Sequence, residues 1–366
     1  MRMALAQARR AEGRTHPNPP VGAVVFRGAT VLGRGATRPP GGAHAEIVAL
    51  AAARRRHGDA ALRRASLAVT LEPCTHQGRT GPCTEEILAA GIQRVFVGHR
   101  DPSPWTGGKG LRRLRSRGVL VETGVLEVEC RHQHRGFLSV QARGRPFVAL
   151  KLAATLDGRI ATARGESRWI TGARARAFVH GLRARVDAVV VGSGTALADD
   201  PQLAARRGGR VVRRPVRVLV DSALQVPPRA RLHREPGESW VLCARNAPSG
   251  PRAALEAAGV RLLPVTGRGG RVSLAAALRR LAEEGLTTLL VEGGGELAAA
   301  LLRAGLVDEL HWFVAPALLG GDGRPALGPI GASRLARAVH LADPEVRRMG
   351  KDLYVRGRVM RGAPRA

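Results

Sequence analysis

His44-Ala45-Glu46, followed by Pro73-Cys74 and later by Cys83, is the set of residues whose types and spacing most directly define a chemistry. One imidazole and two thiolates suit zinc, and a three-ligand set leaves a fourth position open for water, as catalytic zinc sites do. Glu46 is not required as a ligand, so its carboxylate is available to carry a proton. Zinc lowers the pKa of bound water to about 7, and such a site with a non-ligand glutamate can remove an amino group from a ring carbon by hydrolysis. Taken singly, a surface histidine, a solvated glutamate and two core thiols are ordinary. Together, in this order, they point to a catalytic zinc held by His44, Cys74 and Cys83, with Glu46 as the proton shuttle. The fourth protein ligand that a structural site would need is not evident.

The second cysteine departs from the general Pro-Cys-x-x-Cys deaminase spacing: eight residues, Thr75-His76-Gln77-Gly78-Arg79-Thr80-Gly81-Pro82, separate Cys74 from Cys83. This long loop resembles that of the bacterial riboflavin-biosynthesis deaminases, as does His16-Pro17-Asn18-Pro19-Pro20-Val21-Gly22 upstream. The resemblance implies that Asn18, His76 and Arg79 hold a pyrimidine and its phosphoribosyl arm. Chemistry alone says only that an amide, an imidazole and a guanidinium suit a polar heterocycle and a phosphate. Gly81 stands where a proline is common in that family, and Ser103 of Asp101-Pro102-Ser103-Pro104 stands where asparagine is frequent. Both changes bear on loop rigidity and substrate fit, since neither touches a ligand or the shuttle.

In the second half, Val291-Glu292-Gly293-Gly294-Gly295-Glu296 places a glycine turn between an apolar strand and a helix, where free backbone N–H groups favour a phosphate. The G-x-G-x-x-G spacing of a Rossmann domain is missing, and a tight turn without a ligand is an equal reading. Three other segments share the half: Lys151-Leu152-Ala153-Ala154-Thr155-Leu156-Asp157-Gly158-Arg159, Gly165-Glu166-Ser167-Arg168-Trp169-Ile170-Thr171, and Gly194-Thr195-Ala196-Leu197-Ala198-Asp199-Asp200-Pro201. In this order the four resemble the riboflavin-pathway reductase, a relative of dihydrofolate reductase. With the first half, the resemblance covers essentially the whole chain.

That resemblance implies a bifunctional enzyme. Zinc-dependent deamination of 2,5-diamino-6-(5-phosphoribosylamino)pyrimidin-4-one would be followed by NADPH-dependent reduction of its ribosyl group to ribityl. It assigns the cofactor to Ala154, Trp169, Thr171, Thr195, Asp199, Gly293, Gly294, Gly295 and Glu296. It assigns the substrate to Ser167, Arg183, Leu203, Arg206 and Glu292, the two arginines having guanidinium forks suited to a phosphate. Asp199 and Lys151 are the groups for proton handling near the reduced carbon; which of them moves the proton stays open.

The elements that must position these groups are legible as alternating strands and helices. Strands are expected at Val21 to Phe26, Leu67 to Thr70, Val95 to Gly98 and Val119 to Glu122, with helices up to Gly13, from near His44 and after Cys83. A basic, helical stretch from Leu126 to Gln141 runs into Arg143-Gly144-Arg145-Pro146, where glycine and proline mark a boundary. The expected domains are 1–144, a deaminase, and 145–366, a reductase. Later strands are expected at Phe147 to Ala153, Val186 to Val191, Val216 to Asp221, Trp240 to Cys243, Thr288 to Glu292 and Leu310 to Ala315. Arg174 to Arg183, Leu274 to Glu284 and Glu296 to Ala304 read as helices, and Arg206 to Arg214 as a solvated loop. The fold class is α/β throughout. The resemblance narrows it to a cytidine-deaminase-like three-layer domain and a dihydrofolate-reductase-like α/β domain.

Composition narrows the classes. At 366 residues, 44% hydrophobic, the chain suits two ordinary domains, and no apolar run approaches the about 18 residues of a membrane span. The net charge of +30 would ordinarily suggest nucleic acid. The positive charge is almost all arginine, however, with Lys109, Lys151 and Lys351 the only lysines, and it is scattered over both halves. Aromatics at 3% leave few stacking platforms for bases. Small phosphoribosyl pyrimidines rather than nucleic acid are therefore the expected partners, with a homo-oligomer expected as well. Cys74 and Cys83 share one loop and Cys130 and Cys243 stand apart, which is not a disulfide framework and suits the cytoplasm. Two rival readings remain: a nucleic-acid base deaminase, and a non-enzymatic zinc and nucleotide-binding module in which Glu46 is idle.

Overall fold

A computed structural model describes residues 1–75, 81–104 and 106–361. The chain divides into two compact units, Met1–Arg145 and Pro146–Ala366.

The first unit is built on a five-stranded sheet of β1 (Gly22–Arg27), β2 (Thr30–Ala36), β3 (Ser66–Leu71), β4 (Arg94–His99) and β5 (Leu120–Thr123), in the order β2-β1-β3-β4-β5. The β1 strand runs antiparallel to both neighbours, whereas β3, β4 and β5 are parallel. Its helices are α1 (Arg2–Ala11), α2 (Ala45–His57), α3 (Cys83–Ala89), α4 (Lys109–Ser116), α5 (Glu127–Gln133) and α6 (Arg135–Arg143). Period-2 alternation explains the layering. Ala23 and Val25 of β1 share a face with their partners Gly35 and Gly33, and that face receives α2. Gly22 points the other way, where an added Cβ would stand 1.9 Å from the Ala4 carbonyl of α1. The sheet thus carries α1 on one side and α2 on the other. The packing of α2 is close because small residues meet: Ala45, Ala49 and Ala53 of the helix, all fully buried, lie over Gly33 and Gly35.

The basic stretch expected to be helical is two helices, α5 and α6, which meet at His134. There the imidazole turns inward to His99 and Thr70, at 2.8 and 3.2 Å.

The second unit holds a nine-stranded sheet. Its order is Arg261–Val265, Ser239–Ala244, Val216–Val220, Ala188–Gly192, Thr288–Val291, β6 (Phe147–Thr155), Glu309–Ala315, Asp352–Arg361 and Val339–Met349. The first seven are parallel, and the last two form an antiparallel hairpin on the edge. Parallel strands buried on both faces read as nearly continuous apolar runs. Accordingly Val148, Leu150, Val190, Val218 and Leu289 enter one core, and Ala149, Val189, Val191, Leu219 and Leu290 the other.

One expectation is corrected here. The Arg206 to Arg214 stretch is not a loop but mostly a hairpin, Ala205–Arg207 paired with Arg210–Arg213. Gly208 and Gly209 have φ of 55° and 77°, the left-handed pair that a two-residue hairpin turn demands.

Candidate active sites in the two units

In the first unit the protein backbone assembles the candidate metal ligands from two helix starts and the segment after a strand. His44 is the N-cap of α2, with extended backbone (φ −69°, ψ 161°), and Glu46 lies in the first turn. Cys83 opens α3, and Cys74 follows β3 by three residues. His44 Nδ1 lies 3.2 Å from Cys83 Sγ and 3.5 Å from Cys74 Sγ, and the three ligand atoms fall within 4.8 Å of one another. Tetrahedral zinc with bonds of about 2.0 to 2.3 Å places its ligand atoms roughly 3.5 to 3.8 Å apart, so this donor set fits zinc. Hydrogen bonding with Cys83, and then with His44, holds the Cys74 thiol below its ordinary range, and the same hydrogen bond holds the Cys83 thiol above its own. Glu46 is buried at 4% exposure, and burial beside Cys74 pushes its carboxyl up to about 7. A group poised there can both take and return a proton at neutral pH.

The neighbouring loops are pinned from below. Asn18 lies in a turn closed by its own N–H to the Thr15 carbonyl and by the Thr15 hydroxyl to the Asn18 carbonyl, at 2.8 and 2.9 Å. Ser103 is buried, and its N–H donates to Asp101 Oδ1 at 2.8 Å. His76 and Arg79 lie outside the described residues. Sequence reasoning passed over Glu72. Its buried carboxylate accepts the backbone N–H groups of Asp101, Gly108, Gly110 and Leu111 at 3.0 to 3.3 Å. It thereby joins the segment carrying Cys74 to the loop carrying Ser103 and to the start of α4. The available signal was an acid directly before Pro73-Cys74 in an otherwise apolar strand end.

In the second unit a cavity of about 1650 Å³ opens at the carboxyl ends of the parallel strands, the usual ligand position in such sheets. Lys151, Ser167, Arg183, Leu203, Arg206 and Glu292 all border it. So do Trp169, Thr171, Thr195, Asp199 and the Gly293, Gly294, Gly295 and Glu296 turn. Ala154 does not; it is fully buried in β6. Gly294 caps the helix Gly295–Ala304 with no side-chain cap bond, so the first N–H groups of the helix remain available to an anion.

Glu292 and Arg183, from α7 (Ala173–Arg183), form a two-pronged ion pair of 2.6 and 2.9 Å. Burial disfavours the Glu292 charge, but Arg183 outweighs it and draws the carboxyl below its ordinary range. Burial likewise lowers the Lys151 ammonium, against the attraction of Glu292. Much of the Arg183 fork is thus engaged by protein, including the Ala204 carbonyl at 3.2 Å. Arg206 is held by Gln202 and the Gly209 carbonyl at 2.6 and 2.9 Å. The Arg176 guanidinium sits 4.5 Å over the exposed Trp169 ring. The cavity continues past the residues expected from sequence to Asp221, Ser222, Arg231 and Arg271, and it also includes His180 of α7.

Residues 1–99 match the cytidine and deoxycytidylate deaminase zinc-binding region, and residues 146–355 match the RibD C-terminal domain. The chain is 38% identical to the riboflavin biosynthesis protein RibD of Escherichia coli over 96% of each chain. It is 38% identical to the RibD of Bacillus amyloliquefaciens over 96% of this chain and 94% of that one. Among solved structures, Acinetobacter baumannii RibD is similar with a TM-score of 0.87, at 33% identity over 98% of both chains. A Thermotoga maritima protein described as a diaminohydroxyphosphoribosylaminopyrimidine deaminase/5-amino-6-(5-phosphoribosylamino)uracil reductase is similar with a TM-score of 0.84. Identity there is 35%, over 98% of this chain and 97% of that one.

Proposed function

The chain belongs to the RibD family, bifunctional riboflavin-biosynthesis enzymes with a zinc deaminase and an NADPH-dependent reductase, and from that premise we propose which residues perform each reaction. The observation that carries the reading is the convergence of His44, Cys74 and Cys83 within 4.8 Å beside buried Glu46.

In the deaminase, His44, Cys74 and Cys83 hold zinc, which when bound supplies a Lewis acid that activates water at neutral pH. Glu46, a buried carboxyl that is not a ligand, takes a proton from the attacking water and returns one to the amino nitrogen that leaves as ammonia. Asn18, His76 and Arg79 hold 2,5-diamino-6-(5-phosphoribosylamino)pyrimidin-4-one by its ring and its phosphoribosyl arm.

In the reductase, Trp169, Thr171, Thr195, Asp199 and the turn Gly293 to Glu296 hold NADPH, whereas buried Ala154, expected in this set, does not border the cavity; when bound, the cofactor supplies the reducing equivalent that converts ribosyl to ribityl. Ser167, Arg183, Leu203, Arg206 and Glu292 hold the deaminated substrate. Lys151, its proton loosened by burial, and Asp199 handle the proton that balances the reduction near that carbon.

We place the enzyme in the cytoplasm as a homo-oligomer. Its four cysteines are unpaired, as a reducing compartment requires, and no helix among the described residues is long and apolar enough to cross a membrane. Light scattering tests the assembly. For the chemistry, purified protein is incubated with the diaminopyrimidinone with and without NADPH, and products are followed by mass spectrometry. Deaminated product alone should accumulate without NADPH and ribityl product with it; neither would sink the reading.

A further inference from the structure

His180 stands on the cavity-facing side of α7 with Arg176, Val179 and Arg183; their spacing of three and four residues puts them on one helix face. Its Nδ1 lies 3.3 Å from both the backbone N of Arg206 and the carbonyl oxygen of Ala204. Those two neighbours make opposite demands. The Arg206 amide can only donate, so Nδ1 must accept from it, whereas the Ala204 carbonyl can only accept and already receives Arg183 Nη1 at 3.2 Å. The arrangement that satisfies all three groups has Nδ1 as acceptor, which places the ring proton on Nε2. Nε2 has no hydrogen-bond partner among the described residues, and the ring borders the cavity. Burial and the nearby Arg183 lower the imidazole's basicity, in keeping with a neutral ring whose Nδ1 accepts.

We propose that His180 is a third phosphate-binding group of the reductase, its Nε2–H donating to a phosphate oxygen of the substrate between Arg183 and Arg206. The inference rests on the reading of those arginines as phosphate ligands. It completes a gap in that reading, because two N–H groups of Arg183 face Glu292 and another faces Ala204. A neutral donor on the same helix adds a directed bond without adding charge. It also ties phosphate recognition to the hairpin, since the same ring that donates to the ligand holds the Arg206 backbone.

The test uses the full chain and two substitutions that separate the two ends of the ring. His180→Asn keeps an oxygen near the Nδ1 position, able to accept from Arg206, and leaves its amide N–H short of the Nε2 position; His180→Gln returns an N–H to the reach of Nε2. With supplied deaminated substrate, His180→Asn should raise the reductase KM about 10-fold, the size of a hydrogen bond to a charged group. Its kcat and calorimetric NADPH affinity should stay within threefold of the parent, and ribose 5-phosphate, used as probe, should bind about 10-fold more weakly. His180→Gln should recover most of both losses. The inference is overturned if His180→Asn leaves KM and ribose 5-phosphate affinity within twofold while Arg206→Ala weakens both. Should Arg206→Ala also change neither, the phosphate assignment itself is wrong and this inference goes with it.

Discussion

Gly35 and Ala45 approach so closely that a Cβ on the glycine would stand 2.1 Å from the Ala45 carbonyl oxygen and 2.5 Å from the Ala49 nitrogen. Ala45 lies between His44, the proposed ligand, and Glu46, so this contact sets the height of that helix start above the sheet. Gly35→Ala should push the first turn of α2 outward and destabilise the first unit by about 1 to 3 kcal/mol, the usual cost of overpacking. Chelator competition should show zinc held at least about 10-fold more weakly, as when groups supporting a metal site are disturbed. Reduction of supplied deaminated substrate should be unchanged. Normal zinc affinity in Gly35→Ala would show that the contact does not position the site.

How much of this was legible in the sequence differs between the two units. The proposed zinc ligands were readable as candidates because a metal site needs particular atoms in particular numbers, and His44, Cys74 and Cys83 offer them. Contacts such as Gly35 against Ala45 were not, since a glycine in a strand says only that something comes near. Glu72 was missed for a related reason: its partners are backbone N–H groups, which every sequence has everywhere. In the second unit the four matching segments marked the cavity, but His180 and the wall at Ser222 and Arg271 carry no local motif. The arginine-rich run became a hairpin because Gly208-Gly209 is equally a loop and a tight turn until Ala205 and Arg213 are seen to pair.

Glu292 and Arg183 provide a second prediction. With side chains only 9% and 17% exposed, the pair satisfies each partner's charge, and removing one leaves the other buried and uncompensated. Glu292→Gln should destabilise the second unit by about 3 kcal/mol and lower reductase kcat/KM at least about 100-fold, while deamination continues. Chemical denaturation and the two separate assays check this; an unfolding midpoint within error of the parent would contradict the ion-pair argument.

Acid sensitivity follows from buried imidazoles. Burial drives His134 down to about 3 in the folded protein, and His233 to about 4, against about 6.5 for a free side chain. The folded value is the lower one, so as pH falls below about 6.5 the unfolded chain binds protons that the native protein refuses. The stability these groups contribute is complete above about 6.5 and is lost as pH falls toward 3 or 4. Each should impose a slope of up to about 1.4 kcal/mol per pH unit. His134→Gln should flatten the dependence of the first unit's denaturation midpoint between pH 6.5 and 4.5, whatever it does to stability at neutral pH. A slope identical to the parent's would rule out His134 as a source.

The last prediction concerns separability, because the groups assigned to the two reactions lie in different compact units. Glu46→Gln preserves shape and leaves His44, Cys74 and Cys83 intact but cannot carry a proton. Deamination should therefore fall by at least the about 10² to 10⁴-fold typical of losing a general acid–base, with one zinc per chain retained by elemental analysis. Reduction of supplied deaminated substrate should persist. Asp199→Asn should do the reverse, because Asp199 borders the cavity of the second unit. Ammonia release from the first substrate should continue while NADPH oxidation drops. A folded, zinc-loaded Glu46→Gln protein that had lost both activities would mean that the two halves do not hold independent active sites.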